Sequence, residues 1–217
     1  MSYQNIKGII FDLDGVLLST DRFHYLAWKQ MADRMGIPFT EKDNERLRGV
    51  SRMESLEIVL SLSTDPGLSL SEEEKQILAA EKNAQYREYL KTLTPEDITA
   101  EVRETLATLR ERGYRLAVGS SSKNTRFILA QTALTDAFDA IADGNDIKNS
   151  KPDPEVFLKA AELIGVRPED AAVVEDAEAG LLAANRGGML SIAYASAYAC
   201  PLGKERLAHF SDLLQMF

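Results

Sequence analysis

The sequence has one cysteine in 217 residues, only two histidines, and no apolar run long enough to cross a membrane. Each scarcity removes a class of protein. Cys200 alone cannot close an intrachain disulfide, and it stands beside Pro201 without metal-ligand spacing, so it is read as inert. So few histidines and thiols leave a zinc centre of nitrogen and sulfur donors short of ligands. Positive charge is also in deficit, with 25 lysines and arginines against 34 acids and a net charge of -9. That excess repels phosphate backbones, so neither nucleic acid nor a membrane is an expected partner, and an anionic substrate needs a locally basic pocket. No signal-peptide pattern, internal repeat or low-complexity tract is present, and a cytoplasmic monomer is expected. At 45% hydrophobic and 27% charged residues, the chain can bury one sizeable core, alone or carrying an insertion.

What is present is organised around Gly8-Ile9-Ile10-Phe11-Asp12-Leu13-Asp14-Gly15-Val16-Leu17. Four uncharged residues ending abruptly in acid fit a buried strand, and side chains two apart on an extended chain share a side, so Asp12 and Asp14 face one spot. Two carboxylates there repel, which calls for a divalent metal, a raised pKa on one member, or both. An Asp-x-Asp-Gly run also serves as a turn or a helix cap. The rest of the chain decides between these.

From Leu17 to about Leu93 the pattern is helical. Thr20 is placed to cap a helix in which Thr20, His24 and Trp28 recur every four residues and share an inward face, where Trp28 reads as core and His24 as a satisfied interior group. Gly36-Ile37-Pro38 ends that helix. After a short helical piece, Arg48-Gly49-Val50-Ser51-Arg52 forms a loop entering a helix from about Met53 to Ser61. Ser71-Glu72-Glu73-Glu74 is a capping box opening a long helix to Leu90, whose charges, Lys82 among them, read on their own as a solvated face. A linker at Thr92 to Asp97 closes the block.

From Thr99 onward, helices and strands alternate: a helix Glu101–Arg112, a strand Tyr114–Gly119 ending in Ser120-Ser121-Ser122-Lys123-Asn124, a helix through Ala130, and a short strand at Ala140–Ala142. Ser150-Lys151-Pro152 precedes a helix capped by Asp153 with Pro154 at its first position. Ala171-Ala172-Val173-Val174 is a buried strand ending in Glu175-Asp176, and a helix from Ala177 leads to a last strand, Leu190–Tyr194. Such alternation implies a parallel sheet with right-handed crossovers and ligand sites at the carboxyl ends of its strands. Asp12/Asp14, Ser120 to Asn124, Lys151 and Glu175/Asp176 then meet at one edge. An oxygen-rich set of this kind suits Mg²⁺, a carboxylate can attack phosphorus, a second carboxylate can act as general acid and base, and a lysine and a serine can share phosphate charge.

In this order, Asp12-x-Asp14-Gly15-Val16, Ser120, Lys151-Pro152 and Glu175-Asp176 resemble the four motifs of the haloacid dehalogenase-like phosphotransferases, over nearly the whole chain. The resemblance implies an α/β fold, a Rossmann-like doubly wound parallel sheet core (1–18 and 94–217) with an inserted all-α cap domain (19–93). It implies Asp12 as nucleophile and Asp14 as acid/base. It also implies that Asp12, the Asp14 backbone carbonyl, Glu175 and Asp176 surround Mg²⁺, and that Ser120, the Ser121 amide and Lys151 hold the transferring phosphate. Thr20-x3-His24-x3-Trp28-Lys29, Gly49-Val50-Ser51-Arg52 with Ser55, Lys82-Asn83, and Ser120 to Asn124 are similar to a sugar-phosphate mutase branch of the family. That closer likeness implies interconversion of β-D-glucose 1-phosphate and glucose 6-phosphate, with β-glucose 1,6-bisphosphate as priming intermediate. It assigns a second phosphate to Arg52, Ser122, Lys123 and Asn124, and substrate binding also to Thr20, His24, Trp28, Gly49, Val50, Ser51, Ser55 and Lys82. The chain departs from the common pattern at Ala177, where many relatives have serine, and at Ala100-Glu101, where Pro-Gly is frequent. A sugar-phosphate or phosphoglycolate phosphatase shares every core motif and is the first alternative. A non-catalytic sugar-phosphate-binding regulator is the second, and the intact acids and lysine argue against it.

Overall fold

The apolar residues Gly8–Phe11 form β1, every residue of it buried, at the middle of a six-stranded sheet. The structure, a computed structural model, describes residues 3–47 and 50–217. Strands β2 (Arg115–Gly119), β3 (Ala140–Ala142), β4 (Ala171–Glu175), β5 (Leu190–Tyr194) and β6 (Glu205–Leu207) complete the order β3-β2-β1-β4-β5-β6, and every pairing is parallel. Parallel strands need crossovers and cover on both faces, and the near-continuous apolar runs of β1 and β4 follow from that. The crossovers carry α5 (Ala100–Glu111), α6 (Thr125–Gln131), α7 (Glu155–Leu163) and α8 (Glu178–Arg186), and α9 (Leu213–Met216) ends the chain. The architecture is therefore a Rossmann-like parallel sheet with flanking helices. Strand β6 is absent from the sequence expectation because its three residues include Glu205 and Arg206 and offer no apolar alternation.

Chain contacts divide the protein into a unit of residues 1–19 with 93–217 and a unit of residues 20–92. Among the described residues, the regular elements of the second unit are all helices: α1 (Asp21–Arg34), α2 (Glu41–Glu45), α3 (Arg52–Leu60) and α4 (Glu72–Leu90). Its core holds Trp28, Met31, Phe39, Leu56 and Val59. Reciprocal capping boxes at Thr40/Asp43, Ser51/Glu54 and Ser71/Glu74 satisfy the first amides of α2, α3 and α4. The Ser51 box starts α3 at Arg52, one residue before the expected Met53. Thr20 stands at the N-cap of α1 without a side-chain capping bond. At α7, Pro154 takes the cap position and Asp153 Oδ1 accepts the Glu155 N–H at 3.0 Å, so the expected capping pair acts one residue further along. Among the described residues, no helix is long and apolar enough to cross a membrane.

Phe157 of α7 ties the sheet to the strand ends. It is fully buried, and a Cβ on Gly119 would lie 2.7 Å from its ring, so β2 can cross the ring only through a glycine. The Lys151 Nζ sits 4.5 Å from the centre of the same ring. Phe157→Ala is expected to destabilise the fold by about 3–5 kcal/mol, through lost burial plus the cavity left behind. Urea unfolding followed by circular dichroism measures this; a loss below about 1 kcal/mol would contradict the packing role.

Candidate active site

The end of β1 is fixed by its neighbour. The Asp12 N–H donates to the Val174 carbonyl at 3.0 Å, continuing the β1–β4 ladder, so Asp12 emerges beside Glu175 at the end of β4. The chain then turns sharply through Gly15, at φ +86°, where a Cβ would lie 2.1 Å from Asp176 Oδ2. Only glycine admits both that backbone and that carboxylate. Asp12, Glu175 and Asp176 each present a carboxylate oxygen, and these oxygens all lie within 4.8 Å of one another. Asp14 follows within the same turn, where it pairs with Leu18 as an isolated parallel bridge.

Lys151 closes the group. Its Nζ lies 2.5 Å from Asp12 Oδ1 and 2.5 Å from Glu175 Oε1, with all three residues buried. Glu175 Oε2 accepts the Ala177 N–H at 2.9 Å, and a Cβ on Gly180 would overlap Glu175 Oε1, so α8 is seated directly on this carboxylate. The bond that seats Glu175 is a backbone one, so the departure at Ala177 leaves it in place.

Burial dominates the electrostatics. It pushes the Asp12 carboxyl up to about 7, opposed by Lys151 and aided by Glu175 and Asp14. It pushes Asp176 up to about 8, aided by Glu175, Asp12 and Asp14. For Lys151 burial acts downward, but the Asp12 and Glu175 carboxylates outweigh it and hold the ammonium above its ordinary value. One ammonium among Asp12, Asp14, Glu175 and Asp176 leaves an excess of negative charge on hard oxygen donors. That donor set fits a hard divalent cation.

The segment after β2 is held by its own side chains. Ser120 is buried, its N–H donates to Ala142 O at 3.1 Å, and its Oγ accepts the Ser122 N–H at 3.2 Å. Ser122 Oγ accepts the Asn124 N–H at 3.2 Å. Asn124 is buried, Lys123 is exposed, and Ser121 Oγ is shielded with no hydrogen-bond partner among the described residues.

The helical unit holds the other expected residues. The Thr20 and Tyr86 hydroxyl oxygens are 2.8 Å apart, and His24 Nδ1 lies 2.9 Å from Lys82 Nζ. The Lys82 ammonium stands 4.4 Å from the Trp28 ring centre and 4.9 Å from that of Tyr86. Burial, then Lys82 and Arg52, hold His24 well below the ordinary histidine range, so its imidazole is neutral and Nδ1 can accept from the ammonium. Lys82 is thus buried, which corrects its reading as part of a solvated face. Ala79, Lys82, Tyr86 and Leu90 form the inward stripe of α4, and Lys82 occupies one of its positions. Tyr86, which meets Thr20 and His24, escaped the sequence reading although it stands four residues after Lys82. Arg52 Nη2 donates to Asn83 Oδ1 at 2.9 Å, and burial lowers its guanidinium below the ordinary value. Ser55 is buried, Val50 is half-buried, and Ser51 is the α3 cap; Gly49 lies outside the described residues.

Four likenesses bear on this arrangement. The family model for haloacid dehalogenase-like hydrolases matches residues 6–188. The β-phosphoglucomutase of Bacillus subtilis is 41% identical over 187 residues, covering 86% of this chain and 82% of its own, and the phosphorylated carbohydrates phosphatase of Thermotoga maritima is 32% identical over 187 residues, covering 85% and 82%. The crystal structure of a β-phosphoglucomutase from Clostridium difficile superposes with a TM-score of 0.88 at 36% identity, covering 96% of this chain and 93% of the other.

The raised acids set a pH dependence. In metal-free protein the stability linked to Asp12 and Asp176 is greatest below their unfolded pKa and is lost as pH rises through about 7 and about 8. A divalent cation must displace those protons, so its binding strengthens as pH rises. The increase in melting temperature caused by a fixed excess of Mg²⁺ is expected to be larger near pH 8 than near pH 6. A shift of equal size at both, measured by differential scanning fluorimetry, would contradict this.

Proposed function

The chain belongs to the haloacid dehalogenase-like hydrolase family, and we propose that within it the protein is a β-phosphoglucomutase. It interconverts β-D-glucose 1-phosphate and glucose 6-phosphate through a phospho-aspartate and β-glucose 1,6-bisphosphate. The observation that carries the mutase reading is Arg52, half-buried at the start of α3 and hydrogen-bonded to the neutral Asn83 amide. A mutase hands a phosphoryl group to one end of a sugar and accepts one from the other, so the bisphosphate binds in two orientations and needs a second phosphate site. The groups around Asp12 serve the transferring phosphate. Arg52, whose planar fork suits phosphate, is assigned to the second one together with Ser122, Lys123 and Asn124.

In the reaction, Asp12 Oδ attacks phosphorus while the bond from phosphorus to the sugar oxygen breaks. Asp14 gives that oxygen a proton, and takes one from the sugar hydroxyl when the phosphoryl group returns. Lys151, already at Asp12 Oδ1, neutralises charge on the transferring oxygens, aided by the Ser120 hydroxyl and the Ser121 amide. Mg²⁺ held by Asp12, the Asp14 carbonyl, Glu175 and Asp176 would supply further charge neutralisation between two anionic reactants. His24, Lys82 and Trp28 of the helical unit, with Thr20, Ser55 and the Gly49-Val50-Ser51 segment, are assigned to the sugar side. A sugar-phosphate phosphatase is the second reading, favoured by the 32% identity to the Thermotoga maritima enzyme, and it lets water take the phosphoryl group.

The deciding experiment is a coupled assay for glucose 6-phosphate from β-glucose 1-phosphate, primed with trace bisphosphate, beside a panel of phosphatase substrates. Release of phosphate without isomerisation would overturn the mutase reading. Asp12→Asn is expected to retain the fold and lose turnover to below about a hundredth of wild type, because an amide cannot attack phosphorus. Arg52→Ala is expected to cut the mutase rate by roughly 10²-fold while hydrolysis of acetyl phosphate stays nearly unchanged. A parallel fall in both activities, or no fall in either, would remove Arg52 from the second phosphate site.

A further inference from the structure

A turn outside the reacting groups stands behind the Ser121–Lys123 segment. It follows β3, the neighbour of β2, so it runs alongside the segment at the same edge of the sheet. The Gly144 N–H donates to Ser122 O at 3.2 Å, and Asn145 Nδ2 donates to Lys123 O at 3.1 Å. A Cβ on Gly144 would lie 2.3 Å from Ser121 O and 3.1 Å from Lys123 N, an approach that only a residue without a side chain allows. Two consecutive carbonyls of the segment are therefore engaged by one turn.

The turn is rigidly braced. Asp143 has no exposed surface; its Oδ1 accepts the Asn145 N–H at 2.8 Å and Asn145 Nδ2 at 2.9 Å. Its Oδ2 lies 3.2 Å from Arg126 Nε. Arg126 also donates to Asp146 Oδ2 at 2.9 Å, and Asp146 Oδ2 accepts the Asp143 N–H at 2.9 Å. Because Arg126 belongs to the first turn of α6, it links the far end of the Ser120–Asn124 segment to the same turn.

In a trans peptide the carbonyl and the following N–H point in opposite directions. Engaging the Ser122 and Lys123 carbonyls on the side of the turn commits the Lys123 and Asn124 amides to the other side, and with them the direction in which the Lys123 side chain leaves the backbone. We propose that Asp143, Gly144 and Asn145, locked by Arg126, are positioning residues that hold Ser122 and Lys123 in the geometry needed for the second phosphate. The phosphate part rests on the mutase reading above.

The test uses Asn145→Ala, a truncation at an exposed side chain, with Gly144→Ala as the stronger variant. Two readouts are taken: steady-state kinetics of the primed mutase assay, and hydrogen exchange of the ligand-free protein over residues 120–126. Asn145→Ala is expected to raise KM for β-glucose 1-phosphate by about fivefold or more with a smaller change in kcat. Acetyl phosphate hydrolysis should stay unchanged, and exchange over 120–126 should accelerate while β1 and β4 keep their protection. Gly144→Ala is expected to show the same pattern more strongly, and Asn145→Asp, which places an anion against Asp143 and the Lys123 carbonyl, should not rescue it. A wild-type protein without mutase turnover but with faster exchange in the variants would sink the mutase reading and leave the brace standing. Unchanged exchange and KM in an active mutase would overturn the brace, as would equal losses of mutase and acetyl phosphate activity.

Discussion

The structure depends on one buried contact, the Lys151 ammonium between the carboxylates of Asp12 and Glu175. Two acids from adjacent strands cannot be taken out of water together without a counter-charge, because desolvation and mutual repulsion act in the same direction. Parallel register brings β1 and β4 to the same edge, and Lys151, delivered by the segment before α7 and resting over the Phe157 ring, meets the acids there. Glycines at 15 and 180 let the Asp176 and Glu175 carboxylates come close to the backbone of their neighbours. The packing of the core and the charge of the site are thus one problem with one solution. Its remaining imbalance, too many carboxylates for one lysine, is what suits the site to a cation.

The helical unit solves the opposite problem. Lys82 is a buried cation surrounded by aromatic rings and a neutral imidazole. Ring faces and an acceptor nitrogen stabilise a buried ammonium through its charge and its N–H groups.

The fold and the core acids were legible because they follow from short-range rules. The run Gly8–Phe11 before Asp12 and the run Ala171–Val174 before Glu175 announce buried strands ending in acid, and alternation of helix and strand makes the sheet parallel. Serine at position 71, three residues before Glu74, marks where α4 starts; the same box at Ser51 and Glu54 went unread, and α3 starts one residue before its expected position. Lys82 was not legible from its own surroundings: in a helix rich in glutamate and lysine, its inward position shows only once Ala79, Tyr86 and Leu90 are placed on one stripe. Strand β6 was hidden by its brevity and its two charged residues. The Asp143–Asp146 turn was hidden for another reason. Its contacts with residues 121–126 join separate crossovers, and no spacing along the chain encodes them.

Arg126 has a second contact, a 2.8 Å bond from Nη2 to the Ile141 carbonyl. Strand β3 ends the sheet, and its Ala142 carbonyl is turned toward β2, as the Ser120 bond shows. Carbonyls alternate along a strand, so that of Ile141 faces outward, on the side where another chain could add a strand. The guanidinium occupies this acceptor, and its charge sits across the approach. An apolar Ala-Ile-Ala edge, which would otherwise template β-aggregation, is guarded by a side chain from the following layer of the same molecule.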